Sequence, residues 1–135
     1  MKYPAFVALL FFSSLILAQE SPQVRMYSSV LRTGDFLNMD SRSIVFKEVI
    51  SDSRCPTDVT CVWAGEAKIL LAIYENGKFR ENVIVSTTAG SLPLNFSEDH
   101  IKFSISGINL LPYPNTRSKN DKPEYTLQLK LTEEL

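Results

Sequence analysis

The chain has 135 residues, of which 14 are Lys or Arg and 15 are Asp or Glu, so its net charge at pH 7 is −1. This length fits one domain with a single hydrophobic core. A charge balance so close to neutral offers little electrostatic attraction for nucleic acid or for an anionic membrane surface, so neither is predicted as a partner.

Residues 1–18 have the layout of a secretory signal peptide, because Lys2 precedes an apolar run over 6–18 and polar residues follow it. The run is shorter than the roughly 20 apolar residues that cross a bilayer. The sequence therefore predicts an exported protein, periplasmic or extracellular, without a membrane span. Residues 19–135 are predicted to form its single domain.

Three segments that precede the cysteines are predicted strands, namely 24–30, 35–39 and 43–50. The third segment is rich in β-branched and apolar residues and has no helix cap. These features favour a strand over a short helix at 43–50.

The segment 52–65 contains both cysteines and the only tryptophan of the chain. In an exported protein, Cys55 and Cys61 are predicted to form a disulfide that locks a local turn. Asp52 is expected to cap this turn and to pair with the arginine two residues later. Structural zinc usually needs four Cys or His ligands, and His100 is the only histidine, so no metal or other cofactor is predicted.

The direction of the side chains around this turn decides the candidate contact residues. If a strand leaves Cys61, the side chain of Trp63 points to the same face and packs in the core beside the disulfide. Arg54, Thr57 and Asp58 would then be exposed and available to a partner.

In the alternative interpretation, Trp63 is itself the contact residue. It would anchor a protein partner, since tryptophan is enriched among the residues that dominate binding energy. It could also form an aromatic platform for a sugar, together with Tyr113 or Tyr74.

Residues 69–74 are apolar on both faces of a strand, which predicts a central position in a sheet. The pair Asn76 and Gly77 predicts a hairpin turn directly afterwards. A three-residue loop that places Ile73 opposite Phe79 would keep one face of this hairpin apolar, so that register is expected.

The last two predicted strands are 101–110, with a bulge at Gly107, and 125–131, which has the clearest alternation of apolar and polar residues. The polar stretch 112–123 between them is predicted to be a loop. About seven short strands separated by turns predict an all-β protein, an antiparallel β-sandwich that is immunoglobulin-like in general architecture.

The core motif Asp52-Ser-Arg-Cys-Pro56 and Cys61-Val-Trp-Ala-Gly65, flanked by Gly34-Asp-Phe36, Leu111-Pro-Tyr-Pro114 and Tyr125-x-Leu127-x-Leu129, resembles a family of small exported bacterial β-sandwich domains of unknown function. The resemblance extends over most of the chain that follows the signal peptide. It implies export, the disulfide and an all-β fold, and it carries no catalytic residue across.

The sequence contains no recognisable catalytic motif, since it has one histidine and no Gly-x-Ser-x-Gly nucleophile elbow. A non-enzymatic binding or accessory module is therefore predicted, monomeric, with an unidentified protein or carbohydrate as its ligand. One alternative is an inhibitor of a protein, such as a protease, because a rigid stapled loop lowers the ordering cost of association. The other alternative is a carbohydrate-binding module.

Overall fold

The computed structural model describes residues 19–96, 101–117 and 123–135. The predicted signal peptide, His100 and part of the 112–123 loop lie outside the described residues. No helix is present within the described ranges, and hence none that is long and apolar enough to cross a membrane. The strands are β1 (Val24–Arg32), β2 (Phe36–Met39), β3 (Arg42–Asp52), β4 (Ala67–Glu75), β5 (Lys78–Ser86), β6 (Leu92–Leu94), β7 (Lys102–Leu111) and β8 (Thr126–Glu134).

The strands form two antiparallel sheets, with the orders β1-β8-β7-β6 and β2-β3-β4-β5. The predicted all-β sandwich is confirmed, with eight described strands rather than seven. The prediction missed β6, whose middle residue is Pro93, because proline lacks the N–H that a strand donates to its neighbour. Apart from β1, which pairs with β8, neighbouring strands in each sheet are consecutive in the chain, so the order differs from the ABED and CFG sheets of immunoglobulin domains.

One hydrophobic core lies between the two sheets, because each strand turns every second side chain inward. Burying one aliphatic or aromatic side chain of this kind contributes about 1.5 to 3 kcal/mol. The fully buried side chains come from both sheets and include Leu31, Ile44, Phe46, Ile69, Leu71, Ile73, Ile105, Leu110, Leu127, Leu129 and Leu131.

The hairpin between β4 and β5 differs from its predicted register. Its turn consists of Asn76 and Gly77 alone, both at positive φ. The predicted opposition of Ile73 and Phe79 is wrong, because Phe79 pairs with Tyr74. A bulge directly after this pair adds one residue to β5, and beyond it the apolar side chains of β4 and β5 again share a face.

Two other strand predictions are confirmed. The register of β7 against β8 shifts between Ile105 and Gly107, which is the predicted bulge. In β8, Leu127, Leu129 and Leu131 are buried while the residues between them face outward.

A buried ionic group lies at the end of the sandwich where β3 begins and β4 ends. The Arg42 guanidinium is 5.1 Å from the ring centre of Phe96 and 4.9 Å from that of Phe103. Its Nε lies 3.9 Å from Oε1 of Glu75, which also accepts a hydrogen bond from Arg80. The motif that the sequence singles out lies at the opposite end, where β3 leads into β4.

Candidate functional site

Residues 53–66 join β3 to β4 and are called the stapled loop below. The two ends of this loop continue the pairing of the strands. Ser53 N–H donates to the Glu66 carbonyl at 2.8 Å, and Cys55 N–H donates to the Ala64 carbonyl at 2.8 Å. Gly65 makes this approach possible. It has a φ of +67°, and a Cβ at this position would lie 1.8 Å from the Ser53 carbonyl oxygen.

The disulfide closes the tip of the stapled loop. Cys55 and Cys61 are bonded, with their Cα atoms 5.9 Å apart, so the predicted pairing is confirmed. Closing so short a ring stabilises the fold by roughly 2.4 kcal/mol in the chain-entropy description, which makes it a local constraint. A turn inside the ring, with Val59 N–H donating to the Pro56 carbonyl at 3.3 Å, adds to its order.

Arg54 holds the base of the stapled loop. It was expected to be exposed and free for a partner, and this expectation is wrong, because only 6% of the residue is accessible. Its guanidinium donates to both carboxylate oxygens of Asp52, at 2.8 and 2.9 Å, and to the carbonyl oxygens of Leu110 and Pro112. It also lies 4.4 Å from the centre of the Tyr113 ring, so one side chain joins the two sheets at this end.

Asp52 behaves as the sequence predicted. Its carboxylate accepts the Arg54 backbone N–H at 3.2 Å, which caps the turn, and it also accepts the Tyr125 hydroxyl at 3.0 Å. Burial alone would raise the pKa of this carboxyl, but the hydrogen bonds from Arg54 and Tyr125 outweigh it and hold the Asp52 pKa below its ordinary value. Burial and the bond to Asp52 raise the pKa of Tyr125.

The tip of the stapled loop is tied to residues 112–117, called the second loop below. Thr57 N–H donates to the Pro114 carbonyl at 3.0 Å. The Asp58 carboxylate accepts the Thr116 N–H at 3.1 Å and also the Thr116 hydroxyl, and these bonds lower the Asp58 pKa. Thr57 and Asp58 lie on the surface, as expected, but the Thr57 backbone N–H and the Asp58 carboxylate are already engaged within the protein.

Trp63 is not in the core. Its side chain is 82% exposed, and the neighbouring Val62 is 91% exposed. The prediction of a buried Trp63 relied on strand alternation from Cys61, but residues 61–66 are not a strand and β4 begins at Ala67. The alternative interpretation, in which Trp63 is available for contact, is the one that the structure fits.

Sequence reasoning overlooked two apolar residues of the stapled loop, Val62 and Val59. Val62 was not singled out, although an apolar residue beside an exposed tryptophan enlarges the same surface. Val59 itself is 45% exposed, and Tyr113 of the second loop is 50% exposed. Together the stapled loop and the second loop present apolar side chains on a backbone that is constrained from several directions.

The polar groups beside this apolar surface form internal hydrogen bonds. The Glu66 carboxylate accepts the hydroxyls of Ser86 and Thr88, and its oxygen lies 3.7 Å from the Lys68 ammonium. Among the described residues there is no group of three or more His, Cys, Asp or Glu side chains placed to hold a metal ion. What the site offers chemically is a set of exposed apolar side chains on a constrained loop, beside polar groups that are engaged within the protein.

The depressed pKa of Asp52 leads to a prediction about acid stability. Ionised Asp52 contributes to the free energy of unfolding. This contribution is complete above the unfolded-state pKa, about 3.9, and is lost as the pH falls through the lower pKa that Asp52 has in the folded protein. We therefore expect Asp52→Asn to be less stable than the parent near neutral pH and to lose less stability on acidification. Urea unfolding between about pH 6 and about pH 2.5 measures this, and parallel curves for the two proteins would contradict it.

No family model matches the chain, and no curated protein or solved structure shows significant similarity to it. The resemblance to small exported bacterial β-sandwich domains therefore stays a prediction from the sequence motifs.

Proposed function

We propose that this protein is an exported, non-enzymatic binding module that contacts a protein partner through Val62 and Trp63 of the stapled loop. The observation that carries the proposal is the exposure of these two apolar side chains on a loop whose backbone is held by the disulfide, by Arg54 and by the second loop. Because Val62 and Trp63 lie outside the core, a partner can cover them without disturbing the packing of the protein.

The physical basis of the proposal is the preorganisation of the loop. A binding loop that is mobile when free must be ordered on association, and each immobilised side chain can cost about 0.5 to 1.5 kcal/mol. Here the backbone is already ordered, so the cost of ordering the loop is avoided when a partner covers Trp63 and Val62. Tryptophan is among the residues that most often dominate such interfaces.

A protein inhibitor, for instance of a protease, is a narrower form of the same proposal. It is favoured by the constrained backbone of the stapled loop, since a loop that is already ordered and presents an exposed Trp63 loses less conformational freedom when it enters a cleft. The exposed residues Thr57 and Asp58 would lie at the rim of that contact, and their bonds to the second loop would keep the tip in place.

A carbohydrate ligand has weaker support from the arrangement of the aromatic side chains. Tyr74 lies near the far end of β4 and packs against Phe79, at 5.7 Å between ring centres, so it is distant in sequence and register from the loop. One face of the Tyr113 ring is occupied by Arg54. We therefore place a sugar platform of Trp63 with Tyr74 or Tyr113 second.

Export is supported by two features that belong together. Residues 1–18 have the layout that predicts a signal peptide, and the two cysteines form a disulfide, a bond that persists in oxidising compartments outside the cytosol. The periplasm and the extracellular space both meet this condition.

Replacing Trp63 by serine is expected to leave the melting temperature within about 2 °C of the parent, because the side chain makes few contacts in the free protein. When the parent is immobilised and retains a partner protein from a secreted or envelope fraction, the Trp63→Ser variant should no longer retain that partner. Val62→Ser should weaken retention as well. The matched control is Val30→Ser, since Val30 is 61% exposed on the outer face of the other sheet, and it should retain the partner fully.

A Trp63→Ser variant that retained the same protein as the parent would overturn the proposed contact. A variant that lost its folded structure would show that Trp63 supports the core, as the sequence first suggested. If a polysaccharide resin retained the parent protein but not the Trp63→Ser variant, the carbohydrate alternative would be favoured.

A further inference from the structure

Each sheet of the sandwich has two edge strands, and β1 is the one edge strand in the described part of the chain that lacks protection against pairing with another chain. Short length, proline and charge are features that keep edge strands from pairing. β6 has three residues and contains Pro93, and β2 has four residues. β5 is longer, but three of its first four residues are charged. β1 has nine residues without proline or bulge, and its charged residues, Arg25 and Arg32, lie near its two ends.

Two contacts at the ends of β1 identify the backbone groups on its free edge. In an antiparallel pair, successive residues direct their N–H and C=O groups alternately toward the neighbouring strand and away from it. Arg32 donates its N–H to the Asp35 carboxylate and accepts the Asp35 N–H, both at 2.9 Å, so the Arg32 backbone groups point away from β8. The Gln23 carbonyl accepts the Leu135 N–H at 3.1 Å, so Gln23 points toward the end of β8. Both contacts place the backbone groups of the same alternate residues on the free edge, namely Val24, Met26, Ser28 and Val30.

The side chains along this edge are exposed as well. Met26 is 73% and Val30 is 61% exposed on the outer face of the sheet, with the exposed Ser28 between them. No described strand lies beyond β1 in its sheet, and no charged residue falls between Met26 and Val30. A long edge strand with exposed apolar side chains is a template for pairing with a further strand.

We propose that β1 pairs in antiparallel orientation with β1 of a second copy of the chain, about a two-fold axis through Ser28. The sequence predicted a monomer, and the unprotected edge is the observation that leads away from that prediction. The pairing would join a four-stranded sheet from each copy into one continuous sheet, with about six backbone hydrogen bonds made by Met26, Ser28 and Val30 of the two copies. The stapled loop joins two strands of the other sheet, so it would stay free for its own partner.

The sequence of β1 favours a second copy because it matches itself in this register. Ser28 is the middle residue of β1, so the axis places Met26 opposite the partner's Val30 and Val30 opposite the partner's Met26. Side chains directly opposite one another on one face are the pairs that stabilise neighbouring strands. Asp35 occupies the edge at Arg32, so the pairing covers residues 26–30 of each copy. An edge contact this short should dissociate on dilution.

The charges near the ends of β1 agree with the same axis. Arg25 lies opposite the partner's Leu31, so no like charges oppose one another across the axis. On the outer face, Arg32 lies two strands from the partner's Glu134, because Val24 pairs with Glu134 in each copy. Two strand spacings are about 10 Å, which two long charged side chains can bridge. Neither Arg32 nor Glu134 forms an ion pair with another described residue, so the second copy would supply each with an opposite charge.

Sedimentation equilibrium of the chain without residues 1–18 tests this proposal. We expect a reversible monomer–dimer equilibrium, and we expect Ser28→Pro to weaken the dimer at least tenfold, because it removes the N–H donor at the centre of the pairing in both copies. The monomer should tolerate this change, since proline is accepted where the N–H of an edge strand faces solvent. Circular dichroism melting of the variant shows that it is folded.

Ile84→Pro is the matched control for this change. Thr87 N–H donates to the Ala67 carbonyl at 3.0 Å, so alternation along β5 directs the Ile84 N–H away from β4. Ile84 is therefore an exposed position on a free edge of the other sheet, and the variant should leave the monomer–dimer equilibrium unchanged.

Cysteine variants test the register of the pairing. Opposite residues that exchange both hydrogen bonds have Cα atoms about 5.5 Å apart, within the range of a disulfide, so Ser28→Cys should form a linked dimer on mild oxidation. Val30→Cys alone should not, since the two Cα atoms would lie about 13 Å apart, but it should link to Met26→Cys when the two variants are mixed. Non-reducing electrophoresis measures the linked fraction. Linking of Val30→Cys alone, as complete as that of Ser28→Cys, would overturn the proposed pairing.

Charge reversal tests whether the contact is made between two copies. Within one chain, Arg32 and Glu134 lie at opposite ends of the β1–β8 pair. Arg32→Glu should weaken the dimer severalfold, and the addition of Glu134→Arg should restore it, which a contact between copies explains and a contact within one chain cannot.

A parent chain that stays monomeric at the highest attainable concentration would overturn the proposal. A dimer that is weakened by Trp63→Ser, but not by Ser28→Pro, would also overturn it, because the stapled loop would then join the copies.

Discussion

Replacing Arg54 by alanine is expected to destabilise the domain by about 3 to 5 kcal/mol, as found when one member of a buried ion pair is removed. The change would leave the Asp52 carboxylate without its main partner in a site where only 12% of its side chain is accessible. The carbonyl oxygens of Leu110 and Pro112 would each lose a donor as well. Urea unfolding at neutral pH, followed by circular dichroism, measures this loss.

Two further variants separate the charge of Arg54 from its geometry. Arg54→Lys keeps the charge, but its three N–H donors cannot serve the four acceptor oxygens of Asp52, Leu110 and Pro112 in their fixed directions, so it should recover only part of the stability. Adding Asp52→Asn to Arg54→Ala removes the orphaned carboxylate, so the double variant should be more stable than the sum of the two single losses implies. Strict additivity would show that the two side chains do not act as a pair.

Replacing Gly65 by alanine is expected to cost at least about 2 kcal/mol, which combines the strain of a left-handed residue with overpacking. A Cβ at Gly65 would overlap the Ser53 carbonyl oxygen, so residues 53 and 65 could not keep their present separation. The loss should appear in the unfolding free energy and in proteolysis within the stapled loop.

Gly77→Ala is the matched control for this change. Gly77 has a φ of +75°, close to the +67° of Gly65, but nothing lies within 4 Å of the position of its added Cβ. This variant should show only the conformational strain, about 1 to 2 kcal/mol. Equal losses in the two variants would mean that the close approach to Ser53 is not essential to the loop.

Strand positions could be predicted from the sequence where a single face is buried. The alternation in β8, the apolar character of β4 on both faces and the interruption at Gly107 all identify features that the structure contains. The register of the β4–β5 hairpin could not be predicted, because a two-residue turn followed by a bulge restores the apolar face that a simple two-residue turn would lose. The sequence of the turn does not distinguish a three-residue loop from a two-residue turn followed by a bulge, because both keep the apolar side chains on one face.

The candidate site could be located from the sequence, but the roles of its residues could not. Arg54 is buried where it donates to the carbonyl oxygens of Leu110 and Pro112. These residues lie 56 and 58 positions further along the chain, so the local sequence gives no sign of the contact. Trp63 is exposed because the backbone between the disulfide and β4 is irregular, so strand alternation does not apply there. Tryptophan is usually buried, but the backbone conformation of residues 61–66 places the Trp63 side chain in solvent.

Fluorescence quenching of Trp63 tests the central claim most directly, because the chain contains one tryptophan and the emission reports on this side chain alone. In the free, disulfide-bonded protein we predict red-shifted emission that iodide quenches almost as efficiently as that of free tryptophan. On binding the protein retained from the secreted or envelope fraction, the emission should shift to the blue and become protected. Blue-shifted, protected emission already in the free protein would contradict the account, because Trp63 would then lie in the core and could not be the contact residue.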